Sequence, residues 1–411
     1  MTVVEPEVLV LDGGLRLVHI HQRSAGAGIF GLTVRAGSAD ERHGEEGLAH
    51  FVEHTLFKGT ARRSSWHIIN RMEAVGGELN AFTSKEETVV YSIFPSGNAP
   101  RAIELIADLT INSRFPDKEL EKEREVVIDE INSYRDNPSE AIFDDFEVYA
   151  MSPAPTAHNI LGSPSGVRRL TSADCRDFLR RNYRSENIVA FYSGPQTSAH
   201  IAQLVSRYFE ALPRGAKEKV FSETETYGVN RFSRTETMRI HQTHAILGCG
   251  GPGLLDSRRH ALALFANIVG GPGMNSLLNV ELRERRGLVY SVEASTAMFT
   301  DCGLLTVYFG CDREDLDACR RLCIDVFHNI ADGNFSARRL EQAKKQYLGQ
   351  LAIAFENREN RIMDAARAVL FRGTLSSYAC IRNAINAVTS DDIASLAVPM
   401  CEPSELIFTY K

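Results

Sequence analysis

From Ala211 to Thr235 the chain runs ALPRGAKEKVFSETETYGVNRFSRT, polar and without helical or alternating periodicity. Long tracts with regular apolar stripes lie on both sides of it. A chain of 411 residues exceeds the roughly 250–300 residues at which a single hydrophobic core stops growing. Such a break therefore predicts two cores: an N-terminal domain over residues 1–212, a linker over 213–235 and a C-terminal domain over 236–411.

The two tracts show the same order of elements. The first opens with the β-rich runs LRLVHI (Leu15 to Ile20) and IFGLTVRAG (Ile29 to Gly37), then GLAHFVEHTLFKG and SSWHIINRMEAVGG read as helices. Gly76 and Gly77 suit the end of the second helix. ELNAFTS and ETVVYSIF follow as neighbouring strands, then NAPRAIELIADLTINS and the long DKELEKEREVVIDEINSYRD as helices, and NIVAFYSG as a strand. The second tract gives a strand region (RIHQTHAILGCGG), two helices (DSRRHALALFANIVGG and NSLLNVELRERRG), paired strands (LVYSVEAST and GLLTVYFG), long helices and a closing strand (ELIFTY). The predicted fold class is α+β, with two similar halves, each a mainly antiparallel sheet with helices packed on it.

Charge excludes some partners. The formal net charge is -7, and Lys and Arg are interleaved with acids, so nucleic acid is not an expected partner. No apolar run is long enough to span a bilayer, so no membrane association is expected. The opening MTVVEPEVLVLDGG lacks the basic and apolar regions of a secretory signal, and the eight cysteines form no CxxC pair. Both readings predict a cytoplasmic protein with reduced thiols. Cys319 and Cys323 continue an apolar stripe with Leu316 and Val326, which predicts core packing rather than metal binding.

One short segment carries the chemistry. His50-Phe51-Val52-Glu53-His54 lies in an apolar helical pattern, so the two imidazoles share one helix face, within reach of one cation. Zn²⁺ accepts such ligands and commonly leaves one position open for water. Glu53, between them in sequence, is placed to address a metal-bound water as general base. Five residues also suit a histidine pair with no metal, so the third ligand matters. Glu123 and Glu130 lie two helical turns apart on one stripe with Val127 between them; one carboxylate can bind the metal while the other steadies the ligands.

Other polar clusters read as structural. His241 and His244 fall on opposite faces of an expected strand, and His19 and His21 share a face with no acidic partner evident. GGPGMN (Gly270 to Asn275) lacks phosphate-loop spacing and reads as a turn before a helix.

HxxEH, GGELNAFTS, EREVVIDEI about seventy residues on and LRERRGLVYSV in the second half together resemble the pitrilysin-type inverzincin metallopeptidases. The nearest likeness is to the short-chain branch related to the β subunit of the mitochondrial processing peptidase, and it spans nearly the whole chain. The resemblance implies one Zn²⁺ per chain on His50, His54 and Glu130, with Glu53 as general base and Glu123 holding the ligands. It implies that Asn80, Ala81 and Phe82 form an exposed edge which extended peptides join through their backbone. It further implies that Arg283 and Tyr290 contact the substrate carbonyl, while Arg285 and Arg286 read as surface charge. Because long relatives fuse two such halves into one chain, the resemblance implies a clamshell homodimer, or a heterodimer with a diverged homologue, acting on peptides. Some relatives keep the fold as non-catalytic partner chains, which is the alternative function.

Overall fold

A computed structural model describes residues 4–216 and 228–410. The chain forms two compact units, and neither is one continuous stretch of sequence. The first contains residues 1–132, 158–222 and 354–377; the second contains 133–157, 223–353 and 378–411. Residues 217–227 of the polar stretch lie outside the described residues, and a strand begins at its end.

The first unit is built on a six-stranded sheet: β1 (Glu7–Val10), β2 (Arg16–His21), β3 (Ala27–Val34), β4 (Glu78–Thr83), β5 (Thr88–Pro95) and β6 (Ile188–Gly194). Its order is β1-β2-β6-β3-β5-β4, with β2 and β6 parallel and the other pairs antiparallel. Alternation along the strands gives the sheet two apolar faces. Leu17, Phe30, Leu32 and Val90 meet the helices α1 (Leu48–Leu56), α2 (Ser65–Glu73), α3 (Ala99–Asn112) and α4 (Asp117–Arg135). Val18, Ile20, Ile29 and Phe191 face the other way, against Ile362, Ala366 and Val369 of the helix Arg358–Arg372.

The second unit repeats this plan with β7 (Ser233–Thr237), β8 (Thr243–Gly251), β9 (Val289–Met298), β10 (Gly303–Cys311) and β11 (Ser404–Thr409). Its order is β7-β11-β8-β10-β9, with only β7 and β11 parallel. Strand for strand, this matches β2-β6-β3-β5-β4 in position and sense. The α+β fold of two similar halves is thus present, and the repeat lies in connectivity rather than in sequence. Leu305, Val307 and Phe309 of β10 meet Phe265, Cys319, Cys323 and Phe327, so both cysteines are core residues. Leu304 and Tyr308 face Ile142, Phe146 and Ala150 of α5 (Pro138–Met151). Each sheet is therefore backed by one helix from the other end of the sequence. Among the described residues no helix is long and apolar enough to cross a membrane.

Three local expectations change. NSLLNVELRERRG is not a full helix: Asn279–Glu284 winds with the wider π-type turn and Gly287 takes φ 65° soon after. β8 begins at Thr243, so His241 precedes the strand, and His244 Nδ1 lies 2.7 Å from the Tyr308 hydroxyl. His19 does have an acidic partner: β1 pairs with β2 so that Glu7 stands opposite His19, 3.2 Å from Nδ1.

Candidate metal centre

Helix α1 is preceded by Gly47, whose φ of 96° turns the chain sharply into the first helical residue. Leu48, Phe51, Val52 and Leu56 bury its apolar stripe. His50 and His54 then share the opposite edge, their ring centroids 4.6 Å apart. On α4, Leu120, Val127, Ile128 and Ile131 are buried, and this stripe turns Glu123 and Glu130 toward α1.

The three expected ligands meet. One atom each from His50, His54 and Glu130 lies within 4.8 Å of the others, and this is the only such group among the described residues. Glu130 Oε2 is 3.7 Å from His50 Nε2 and 3.4 Å from His54 Nε2. Glu123 is on the far side of the second imidazole, with Oε2 3.4 Å from His54 Nδ1. An Nδ1–H donated to Glu123 leaves the Nε2 lone pair free toward the cluster. Burial, reinforced by His54, pushes the His50 pKa down to about 3, so His50 is a neutral imidazole with a lone pair to give. Two imidazoles and one carboxylate, converging with an exposed side at Glu130, fit a zinc ion.

Glu53 is part-buried beside this group. Thr83 Oγ1 donates to its Oε2 at 2.7 Å, leaving Oε1 for another partner. Burial pushes the Glu53 pKa up and Glu130 adds to the rise, while Thr83 and His54 oppose it. A carboxylate so placed is a stronger base than one in water.

Sequence reasoning missed three groups here. Lys58 Nζ is 2.6 Å from Glu123 Oε1 and supplies the cation that balances this nearly buried carboxylate. It lies one helical turn past His54, a spacing that could have pointed to it. Thr83 ends the ELNAFTS strand, where alternation places it on the same face as Ala81. Glu41 is fully buried and accepts the backbone N–H groups of Gly47 and Ala49 at 3.0 and 2.7 Å. No periodic signal marks Glu41, because its bonds to Gly47 and Ala49 depend on the turn into α1 and its third partner, His158, is distant in sequence.

The remaining expected residues divide between the units. Asn80, Ala81 and Phe82 lie on β4, which is the edge strand next to β5, with Phe82 42% exposed. Arg283 and Tyr290 belong to the second unit, whereas His50, His54 and Glu130 belong to the first. They meet each other, the guanidinium 6.0 Å from the Tyr290 ring centroid, and Tyr290 is 84% exposed. Arg285 and Arg286 both pair with Glu281 at the surface.

Residues 16–163 match the family model described as insulinase (peptidase family M16), and residues 169–347 match the peptidase M16 inactive domain. An uncharacterised zinc protease of Mycobacterium tuberculosis is 33% identical over 95% of this chain and 90% of its own length. One from Streptomyces coelicolor is 31% identical, covering 94% and 85%. In fold, the chain is similar to a crystal structure of a peptidase M16 inactive domain from Pseudomonas fluorescens, with a TM-score of 0.91, 18% identity and coverage of 99% and 98%. A protease from Helicobacter pylori gives a TM-score of 0.90 at 18% identity, covering 99% and 100%.

Proposed function

The chain belongs to the insulinase-type peptidase family M16, and from that premise we propose that it is a zinc-dependent endopeptidase cleaving peptides or unfolded, presequence-like segments. The observation that carries the reading is the convergence of His50, His54 and Glu130 within 4.8 Å, with Glu53 beside them. One zinc ion on these three residues would supply Lewis acidity, polarising the scissile carbonyl and acidifying an attacking water.

The chain's own groups do the rest. Glu53, held through Oε2 by Thr83, takes the proton of the attacking water on Oε1 and returns it to the leaving amine. Glu123, anchored by Lys58, keeps the His54 ring turned so that Nε2 faces the cluster. An extended peptide adds to the free edge of β4 at Asn80, Ala81 and Phe82, so its main chain supplies most of the recognition. Arg283 and Tyr290 donate to the carbonyl oxygen as charge develops on it. In this reading they come from a second copy, in a clamshell homodimer with two composite sites. A heterodimer with a diverged homologue is the other assembly. Eight cysteines with no disulfide among the described residues support a reducing, cytoplasmic compartment.

Glu53→Gln tests the assignment. It keeps the shape of the site and removes the base, so the variant binds zinc as wild type does while peptide cleavage falls by roughly 10²–10⁴-fold. Metal analysis and cleavage of a peptide library measure both, and retained activity overturns the role of Glu53. A non-catalytic partner role is favoured instead if the purified wild-type protein holds no zinc and cleaves nothing.

A further inference from the structure

Helix α1 carries His50, Glu53 and His54, yet the residue just before it, Gly47, has no side chain with which to cap it. The cap comes from Glu41, which accepts the N–H of Gly47 on Oε2 and of Ala49 on Oε1. Glu41 is in turn held by His158, whose Nε2 is 2.8 Å from its Oε2. The main chain of the same histidine makes a second bond: Lys85, 4% exposed, donates from Nζ to the His158 carbonyl at 2.9 Å.

Lys85 lies in the turn between β4 and β5, two residues after Thr83. Thr83 holds Glu53, and the backbone N–H groups of Ser38 and Ala39 bond the carbonyls of Ser84 and Lys85. The contacts close a ring from Glu53 along α1 to Glu41, His158, Lys85 and Thr83, and back to Glu53. The segment that follows His158 packs closely against the turn into α1. A Cβ on Gly47 would stand 2.7 Å from the Leu161 carbonyl oxygen, and one on Gly162 would stand 2.4 Å from the Glu46 carbonyl oxygen. His158 is also the residue at which the chain re-enters the first unit after residues 133–157.

We propose that His158 is a positioning residue for hydrolysis, fixing the first turn of the catalytic helix through its imidazole and the substrate-edge hairpin through its carbonyl. This rests on the peptidase reading above. His158 touches neither the metal ligands nor Glu53; it acts by holding the base and the edge strand in one register, and displacements of about 1 Å at such sites cost up to 10²-fold in rate.

The test compares His158→Leu, which fills similar volume without a donor, with His158→Gln, whose side-chain amide can still donate to Glu41. The expected result for the Leu variant is a 10- to 100-fold fall in kcat, KM within about twofold and unchanged zinc content, with the Gln variant recovering most of kcat. Hydrogen exchange provides a readout independent of activity: the Gly47 and Ala49 amides are protected in wild type and exchange at least tenfold faster in the Leu variant. Wild-type kcat in the Leu variant, or a fall in both variants alike, overturns the proposal. If the Leu variant does not fold, the wild-type protein still decides, because unprotected Gly47 and Ala49 amides overturn the cap on which the role depends. A wild-type protein that cleaves no peptide overturns the peptidase reading, while the exchange data still judge the ring.

Discussion

At the scale of single residues, Glu41 is costly to place, because its carboxyl is sealed from water. Burial pushes its pKa up to about 7 from 4.5, against the hydrogen bonds from His158, Ala49 and Gly47. The folded protein therefore holds a proton that the unfolded chain gives up between about pH 4.5 and 7. Stability from this group is fully present below that window and is lost as pH rises through it, by up to roughly 3 kcal/mol. Glu41→Gln removes the titration but turns an amide toward backbone N–H groups that need an acceptor. The variant should thus unfold at a lower temperature than wild type at pH 5, with the gap closing by pH 8. Melting curves across that range measure it; a gap constant with pH means that Glu41 titrates like an exposed carboxyl.

At the scale of elements, legibility in the sequence followed range. β5, β6 and α1 were readable because β-branched runs and a 3.6-residue apolar stripe are local signals. His50, His54 and Glu53 were readable because helical spacing alone places them. β1 was not, since its exposed Val8 and Val10 give no alternation. Nor can an apolar stripe say which sheet a helix will cover, and so the destinations of α5 and of Arg358–Arg372 emerge only in the fold. The same holds for Thr83 and His158, whose partners are distant in sequence. The proposed role of β4 has an element-scale test, because an edge strand recognises main chain rather than side chains. N-methylation of a substrate amide that pairs with β4 should raise KM about 3- to 10-fold per bond lost. Methylation at the alternate amides, which point away, should leave KM nearly unchanged. Equal effects at every position would exclude strand addition.

At the scale of the whole molecule, the chain holds two sheets that share a five-strand order and, among the described residues, one group that could hold a metal ion. The second unit instead offers Arg283 beside Tyr290, an aromatic ring left 84% exposed next to a cation. A phenol presented in this way has its hydroxyl free to donate, which suits a group that completes a site formed on another chain. Mixing inactive chains tests whether it does. Glu53→Gln lacks the base but keeps Tyr290; Tyr290→Phe lacks the hydroxyl but keeps Glu53. With random exchange, half of the dimers are mixed, and each mixed dimer has one intact composite site and one doubly defective site, so activity should recover to about one quarter of wild type. If Tyr290 serves the metal site of its own chain, every site keeps one defect and mixing restores nothing. Mixed dimers isolated with two affinity tags, still no more active than either parent, would place the whole reaction within a single chain.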